Sequence, residues 1–564
     1  AQAVTITIPE DHDVNTTPEI VMNDGVIQVN GFGDPIGNHR NTSRVTGRSA
    51  NFTAVAHKTY FGAVPEVRIP LAAATPFVIH LEANADDVEY TLTRNGVSLS
   101  ANEDGTYTGT YGDYELTASK AGYRCFRSTY TIEDGAEGDQ TFYVELEKAD
   151  DNAWDGKSKT EPAAVDGIYQ ISNAAELAWF ADHVNGGQVS KSAVLVADID
   201  LADYPWTPIG GGTTSKAFKG NFDGNDHSID GLYINNTSTY QGLFGYVHTG
   251  TIKKLTVSGE VSAKQNVGGI SGATTQNAVI DSCVNNVTVQ STGTYLGGIT
   301  GQITNNAKVT NCVNNADVTG KSNYVGGITA NIAANCTVDR CANNGDVKGA
   351  GNYLGGIAGY VPQATSTLSN CYNIGDVEST TGCAGIAGSN QMNAVITNVY
   401  NIGKITGKNV ASCVGGTTAK NNVTKAYSVD SYDITTNQTN VTREQVANGN
   451  LAHLLGEPFG QDLENDNYPV IGGPQIYKVT YTTNLDSYVN TLYSNATLPT
   501  TGWVDNRTST WYTERGGEVI TEIDCDCTLY VELLTSGIKN TVALQDLENG
   551  ERYNLAGQRV TKGY

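Results

Sequence analysis

The stretch Tyr324-Val-Gly-Gly-Ile-Thr-Ala-Asn-Ile-Ala-Ala-Asn-Cys-Thr-Val-Asp-Arg-Cys-Ala-Asn-Asn-Gly-Asp-Val347 is one copy of a repeat that covers residues 266–388. The second glycine of its Gly-Gly pair recurs every 29 residues, at Gly269, Gly298, Gly327, Gly356 and Gly385. Self-similarity at a fixed period of this length indicates a solenoid, in which each repeat forms one coil that stacks on the next.

Short strands, not helices, form the predicted coil. Apolar residues alternate in brief runs that Asn, Gly and Asp separate, which are strand and turn signals. No repeat holds a helix-length stretch with 3.6-residue spacing, and leucine is too scarce for a leucine-rich repeat. The pattern predicts an all-β fold: a right-handed parallel β-helix with about 29 residues per coil.

Strands stacked about 4.8 Å apart place equivalent residues in columns along the axis. One column holds cysteines that we expect to be free, buried and small hydrophobic residues: Cys283, Cys312, Cys341 and Cys371. Another holds asparagines whose amides can bond along the axis: Asn285, Asn314, Asn343, Asn373 and Asn401.

The composition narrows the choice of partners. The 34 basic and 59 acidic residues give a net charge of −25, so nucleic acid and anionic membranes are poor partners. No apolar run approaches the 18 or so residues that a membrane helix needs, which argues against membrane insertion. We expect a secreted or cell-surface protein, chiefly from the repetitive β architecture.

Five segments are predicted along the chain. They are a small β-rich region (1–74), a β-sandwich module (75–149), a capped β-solenoid (150–472), a β-grasp-like module (473–535) and a tail with a possible sorting signal (536–564). Asn173 and Glu176 fit a capping box for a short helix over 174–184 that covers the first coil. Thr442 and Gln445 can cap a second short helix that runs through Leu455 and closes the solenoid.

The two flanking modules resemble known families. Asp104-Gly-Thr-Tyr107 and Gly112-Asp-Tyr-Glu-Leu116 resemble carboxypeptidase regulatory-like or PEGA-like β-sandwiches, which are usually spacers. Val479-Thr-Tyr-Thr-Thr-Asn484 and Trp511-Tyr-Thr513 resemble the Listeria-Bacteroides repeat of bacterial surface proteins. The tail around Arg552-Tyr-Asn-Leu-Ala-Gly-Gln-Arg-Val560 is similar to C-terminal segments of exported Bacteroidetes proteins.

The solenoid itself resembles the GLUG-type β-solenoid of large secreted bacterial proteins. The resemblance rests on Asp198-Ile-Asp-Leu201, Trp206-Thr-Pro-Ile-Gly210, Gly242-Leu-Phe-Gly245 and the Gly-Gly-Ile repeats. A similar region precedes the catalytic part of some IgA-cleaving metallopeptidases. Their zinc motif HExxH is absent, because none of the eight histidines has that spacing.

A tyrosine column is the predicted binding site. Tyr240, Tyr295, Tyr324 and Tyr353 hold equivalent positions just before the glycines, and Asn266 and Gly382 interrupt the series. A row of rings at strand spacing makes an apolar strip with hydroxyl groups, which could bind sugars or a protein partner. The alternative is that the rings only pack on each other and stiffen the coil.

An aspartate column is the alternative site. Asp317, Asp346 and Asp376 precede a repeated valine, so neighbours should lie about 5 Å apart. Such carboxylates could serve a glycosidase or hold Ca²⁺, although Asp is also a common structural turn residue. Asp223-Gly-Asn-Asp-His227 looks metal-binding, but we interpret it as a structural turn.

Three functions remain open from the sequence. The first is a non-catalytic adhesin or glycan-binding scaffold whose partner is a glycan or a host or bacterial surface protein. The second is a polysaccharide-active β-helix enzyme, either a lyase or a glycosidase. The third is a structural stalk or self-assembling filament subunit. No cofactor is expected, with Ca²⁺ as the one exception considered.

Overall fold

This computed structural model describes residues 76–531 except 134–135, 137, 322, 417–421, 430–437, 484–488, 496–497 and 499–509, with backbone alone at 489–490. Before residue 76 it describes only the backbone of four strands: β1 (Glu19–Val21), β2 (Ile27–Asn30), β3 (Thr42–Val45) and β4 (Asn51–Thr53). The predicted tail, 536–564, lies outside the described residues. The chain divides into two compact units, Ala1–Asp150 and Asp151–Tyr564.

The first unit contains a β-sandwich. Its strands are β5 (Phe77–Ala83), β6 (Glu89–Arg94), β7 (Val97–Ser98), β8 (Tyr107–Gly109), β9 (Gly112–Ser119), β10 (Phe126–Ile132) and β11 (Gln140–Val144). They form one sheet in the order β10-β9-β6-β7 and another in the order β11-β5-β8. Ile79 from one sheet and Leu92 and Tyr114 from the other share a fully buried core. The family assignment of this module stays a prediction.

The predicted capping helix of the second unit is α1 (Ala174–Asn185). The Asn173 side chain accepts a hydrogen bond from the Glu176 N–H at 3.0 Å, and this cap satisfies one free donor of the first turn. Phe180 is fully buried and packs against Phe218 and Phe222. The helix therefore covers the first coil, as predicted, and shields its open edge.

The solenoid strands are short and all but the first pair run parallel. In chain order they are β12 (Ala164–Val165), β13 (Ile168–Ile171), β14 (Ser192–Leu195), β15 (Ile199–Asp200), β16 (Asn221–Asp223), β17 (Ser228–Asn235), β18 (Thr239–Gln241), β19 (Phe244–His248), β20 (Thr251–Lys253), β21 (Thr256–Ala263), β22 (Gln265–Val267), β23 (Ser271–Thr275), β24 (Val279–Asp281), β25 (Val284–Ser291), β26 (Leu296–Gly297), β27 (Lys308–Thr310), β28 (Val313–Asn314), β29 (Val318–Gly320), β30 (Val325–Gly326), β31 (Thr329–Asn331), β32 (Thr337–Asp339), β33 (Ala342–Asn343), β34 (Val347–Gly349), β35 (Leu354–Gly355), β36 (Ala358–Val361), β37 (Thr367–Asn373), β38 (Val377–Ser379), β39 (Gly382–Ala384), β40 (Ala387–Asn390), β41 (Val395–Asn401), β42 (Ile405–Thr406), β43 (Asn409–Ala411), β44 (Val423–Ser428) and β45 (Gln438–Asn440).

These strands form a solenoid of about 8 turns with about 29 residues per coil, and the solenoid has three faces. The largest face is a 22-stranded sheet from β12 to β45, and the second is the seven-stranded sheet β18-β22-β26-β30-β35-β39-β43. The third contains two small sheets, β19-β23 and β31-β36-β40. Thr300 lies between them and forms a β-bridge with Ser271 of β23 and another with Thr329 of β31. Strand residues make up 48% and helix residues 5%, so the predicted β-solenoid with short helical caps is confirmed.

The interior consists of the predicted columns. Ile270, Ile299, Ile328, Ile357 and Ile386 are fully buried, as are the four stacked cysteines. All four of those cysteines are free, which confirms their prediction as small buried residues. Burial raises the pKa of the Cys283 and Cys341 thiols.

The asparagine column is a continuous ladder of hydrogen bonds. The first four side-chain amides each donate to the next asparagine oxygen at 2.7 Å and also to a main-chain oxygen of their own coil. A Cβ built on Gly327 would lie 2.1 Å from the Gly356 oxygen and 2.4 Å from the Asn343 Oδ1 atom. Glycine is therefore required at this repeated position, because the asparagine ladder and the next coil lie too close for a side chain.

Two helices, not one, follow the last strand of the solenoid: α2 (Arg443–Ala447) and α3 (Asn450–Leu455). Thr442 and Gln445 form the predicted reciprocal capping box. The prediction of one helix through Leu455 was wrong, because Gly449 has a left-handed φ of 86° and interrupts it. Leu451 and Leu455 are buried against a column of the largest face that runs along four successive coils: Ala342, Tyr372, Tyr400 and Tyr427. The two helices therefore pack on the side of the solenoid, whereas the prediction placed them over its end. β46 (Phe459–Gly460) pairs with β47 (Val470–Ile471).

A mixed five-stranded sheet follows the cap. Its strands are β48 (Tyr477–Thr483), β49 (Val489–Ser494), β50 (Trp511–Tyr512), β51 (Val519–Ile520) and β52 (Cys527–Val531), in the order β49-β48-β52-β50-β51. His453 of α3 meets the Asp526 carboxylate at 2.8 Å, and the Lys478 N–H donates to the same carboxylate. The His453 contact attaches the sheet to α3. Among the described residues, no helix is long and apolar enough to span a membrane.

Candidate functional site

The structure brings the predicted tyrosines together in one column. Tyr295 and Tyr324 stack with ring centroids 5.2 Å apart and planes 16° apart, and Tyr324 and Tyr353 stack at 5.1 Å and 12°. All three side chains are half-buried. Tyr240 belongs to the same column but lies beyond Asn266, so it is separated from this stack by one coil.

Sequence reasoning missed a second, adjacent column. Tyr360 lies 5.3 Å from both Tyr324 and Tyr353, and Tyr246 lies 5.2 Å from Tyr240. Tyr360 and Tyr246 follow their column partners by seven and six residues, but the equivalent positions between them hold other residue types. The aromatic surface is therefore wider than one row. We call the cluster of Tyr295, Tyr324, Tyr353 and Tyr360 the tyrosine strip.

The backbone under these rings is unusual. Tyr240, Tyr295 and Tyr324 have positive φ values of 60°, 65° and 65°, and Asn266 at the same position has 54°. Asparagine and glycine tolerate this left-handed conformation, whereas it costs a bulky residue about 1–3 kcal/mol. A tyrosine at this position therefore strains the backbone and lowers the stability of the fold. The retention of tyrosine points to a role for its side chain.

Two hydroxyl groups of the strip, those of Tyr324 and Tyr360, are held in the protonated form. Burial raises the pKa of Tyr324 and of Tyr360, and the neighbouring tyrosines raise it further. The Tyr360 hydroxyl donates to the Gln391 Oε1 atom at 2.7 Å. The strip therefore presents ring edges and hydroxyl groups that can donate and accept hydrogen bonds.

The predicted aspartate column is present, and its carboxylates bond to the coil itself. The N–H groups of Asp346, Asp376 and Lys404 donate to the aspartate one coil before each of them, at 2.8–3.0 Å. Lys348 also pairs with Asp346 at 3.0 Å. Each aspartate thus links successive coils, which is a structural use of the side chain.

A metal site gains no support from the residues that the structure describes. Among them, no group of three or more His, Cys, Asp or Glu side chains is arranged to hold an ion. The Asp223–His227 segment is a turn: Asp223 Oδ1 accepts from the Asn225 N–H at 3.0 Å, and Lys253 pairs with Asp223. His227 contacts Asp198 at 3.1 Å.

A groove of about 670 Å³ on the largest face was not predicted. It crosses the outer side of the first strands, and its lining includes Ile168, Gln170, Asp223 and Lys253. The 2.9 Å ion pair between Asp223 and Lys253 occupies one wall. Neither predicted column lines this groove.

Comparison with known proteins identifies no family. No family model matches the sequence. A protein of Evansella cellulosilytica described as "Putative Gly-rich membrane protein" is 30% identical over 156 residues, which are 26% of this chain. A solved structure described as a "putative immunoglobulin A1 protease from Bacteroides ovatus" is 19% identical with a TM-score of 0.42, covering 56% of this chain and 95% of that one.

A second structure, "IgA1 Protease", is 14% identical with a TM-score of 0.33 and covers 63% of this chain and 29% of that one. The chain spans 17% of the length of the curated relative that it matches.

Proposed function

We propose that this chain is an extracellular or cell-surface scaffold that binds glycans on its tyrosine strip without cleaving them. The observation that carries the proposal is the left-handed backbone of Tyr295 and Tyr324. Packing within the coil does not require tyrosine there, because Asn266 holds the same position in the same conformation. The half-exposed rings and hydroxyls offer the mixed apolar and polar surface that sugars bind.

The other two functions gain less support. A polysaccharide-active enzyme needs available carboxylates, whereas the aspartate column is engaged by main-chain N–H groups of the following coils. A filament that grows from both ends needs both ends open, whereas α1 covers the first coil. The relative's description as a membrane protein agrees with a location at the cell surface.

Alanine variants test the strip. Y295A/Y324A/Y353A should lose binding to a glycan that the wild-type chain captures, with an unchanged circular dichroism spectrum. Tyr143→Ala is the control, since Tyr143 is 67% exposed and belongs to the sandwich. Equal binding by the triple variant and the wild type would refute the role of the strip.

A further inference from the structure

The stacked rings of the strip leave their edges and hydroxyl groups for a ligand. Both faces of Tyr324 are covered, one by Tyr295 and the other by Tyr353. Neighbouring ring planes lie within 16° of each other, so the three rings form one stack along the solenoid axis. A sugar therefore cannot lay its C–H face on Tyr324. What the stack presents to a ligand is a ladder of ring edges, with one hydroxyl group on each coil.

The hydroxyl groups of the stack are not used within the fold. Among the described residues, those of Tyr295, Tyr324 and Tyr353 form no hydrogen bond with the protein, and none of the three oxygen atoms is buried. Tyr360 beside the stack differs, because its hydroxyl donates to the Gln391 Oε1 atom at 2.7 Å. Packing in the stack requires the ring but not the hydroxyl group. The three hydroxyls are therefore available to a ligand as donors and acceptors.

The spacing of the stack matches one class of polysaccharide. The ring centroids are 5.2 Å and 5.1 Å apart, close to the roughly 4.8 Å between stacked strands. Successive sugars of an extended β-1,4-linked glucan are separated by nearly the same distance, and each glucose carries hydroxyl groups on both edges of the chain. Such a chain along the solenoid axis places one glucose opposite each ring. An α-1,4-linked glucan coils and advances less per sugar, so it loses this register.

The ladder of free hydroxyl groups is three rings long. One coil before Tyr295, the Asn266 side chain is 3% exposed and accepts from Gln302 at 2.9 Å, so it offers little to a ligand. One coil after Tyr353, the column continues with Gly382, which has no side chain. The ladder therefore spans two coil steps, about 10 Å, and meets three consecutive sugars.

We propose that the tyrosine strip binds an extended β-1,4-linked glucan that lies along the solenoid axis, with one glucose opposite each of the three stacked rings. This inference rests on the proposed function and specifies its ligand. Each hydroxyl group of the stack exchanges a hydrogen bond with the hydroxyl groups of its own sugar. Internal segments of the chain bind as well as chain ends, because the ladder contacts the side of the glucan.

Soluble oligosaccharides test the register on the wild-type chain. In isothermal titration calorimetry, affinity should rise about two- to tenfold from cellobiose to cellotriose, since one more hydrogen bond forms. From cellotriose to cellohexaose it should rise only through the extra ways of placing the longer chain, because the stack has no fourth ring. Maltohexaose, the α-1,4-linked control, should bind at least about tenfold more weakly than cellohexaose. Equal affinities for the two hexaoses overturn the inference.

Phenylalanine variants separate the hydroxyl groups from the rings. Y295F/Y324F/Y353F keeps the stacked rings and should weaken cellohexaose binding at least about tenfold, with an unchanged circular dichroism spectrum. Tyr143→Phe is the control, because Tyr143 is exposed in the sandwich and should leave binding unchanged. Unchanged binding by the triple variant also overturns the inference, because the hydroxyl ladder would then play no part.

The outcomes separate this inference from the proposed function. If the wild-type chain does not bind cellohexaose but binds other glycans that Y295A/Y324A/Y353A fails to bind, the inference fails and the proposed function stands. If the wild-type chain binds no glycan at all, both fail.

Discussion

Removing one rung of the asparagine ladder should destabilise the whole solenoid. Asn343 is fully buried, accepts from the Asn314 amide at 2.7 Å, and donates to Asn373 and to the Gly345 oxygen, each at 2.7 Å. Each such bond contributes about 1 kcal/mol net, and a buried group left without its partner costs about 1–3 kcal/mol. We therefore expect Asn343→Ala to lower the free energy of unfolding by about 3–4 kcal/mol.

The neighbouring residue provides a matched control. Asn344 has the same chemistry, but it lies on the outside of the coil and donates one bond, to Asn315 at 2.8 Å. Asn344→Ala should cost no more than about 1 kcal/mol. Guanidinium unfolding followed by circular dichroism measures both, and transition midpoints are compared because repeat proteins can depart from two-state behaviour. Equal midpoints for the two variants would refute the role assigned to the ladder.

Three further predictions follow from packing and charge. Gly327→Ala should destabilise the solenoid at least as much as Asn343→Ala, because its Cβ would lie 2.1 Å from a main-chain oxygen; a midpoint near that of wild type would contradict this. Burial alone would raise the pKa of Asp526, but the Lys478 N–H and His453 outweigh it and hold the pKa below its usual value. The stability that Asp526 contributes is therefore present above its unfolded pKa of about 3.9 and lost as the pH falls through the lower folded value. Asp526→Asn should remove this part of acid unfolding, and an identical pH profile would argue against the contact. In the native state a thiol reagent should modify only Cys525 and Cys527, since the other eight cysteines are buried, and rapid modification of a third would contradict the packed core.

The repeat made the architecture predictable, because a fixed period places equivalent residues in columns whatever the details of the coil. The asparagine and cysteine columns were both predicted in this way. The dependence of Gly327 on Asn343 could not be seen, because the two lie 16 residues apart and meet only when the coil closes. Asn448-Gly449 is the sequence signal for the break between α2 and α3. The prediction of one continuous helix followed the capping pattern at Thr442 and Gln445 instead.

The site was predictable only in part. The tyrosine column repeats in the sequence, so its members were found, and the stacking distances agree with strand spacing. Tyr360 was missed because the positions between it and Tyr246 in the same column hold other residue types, and a periodic pattern reveals only residues that repeat. Packing of the rings on each other was foreseen as the alternative to ligand binding, but the left-handed backbone at Tyr295 and Tyr324 was not predicted.

The central claim is that the chain binds glycans and leaves them intact. A glycan array on the purified chain, with product analysis of the same glycans after incubation, tests it most directly. The account predicts capture of a defined set of glycans and no new products. Cleavage of any captured glycan, or the absence of capture across the array, would contradict it.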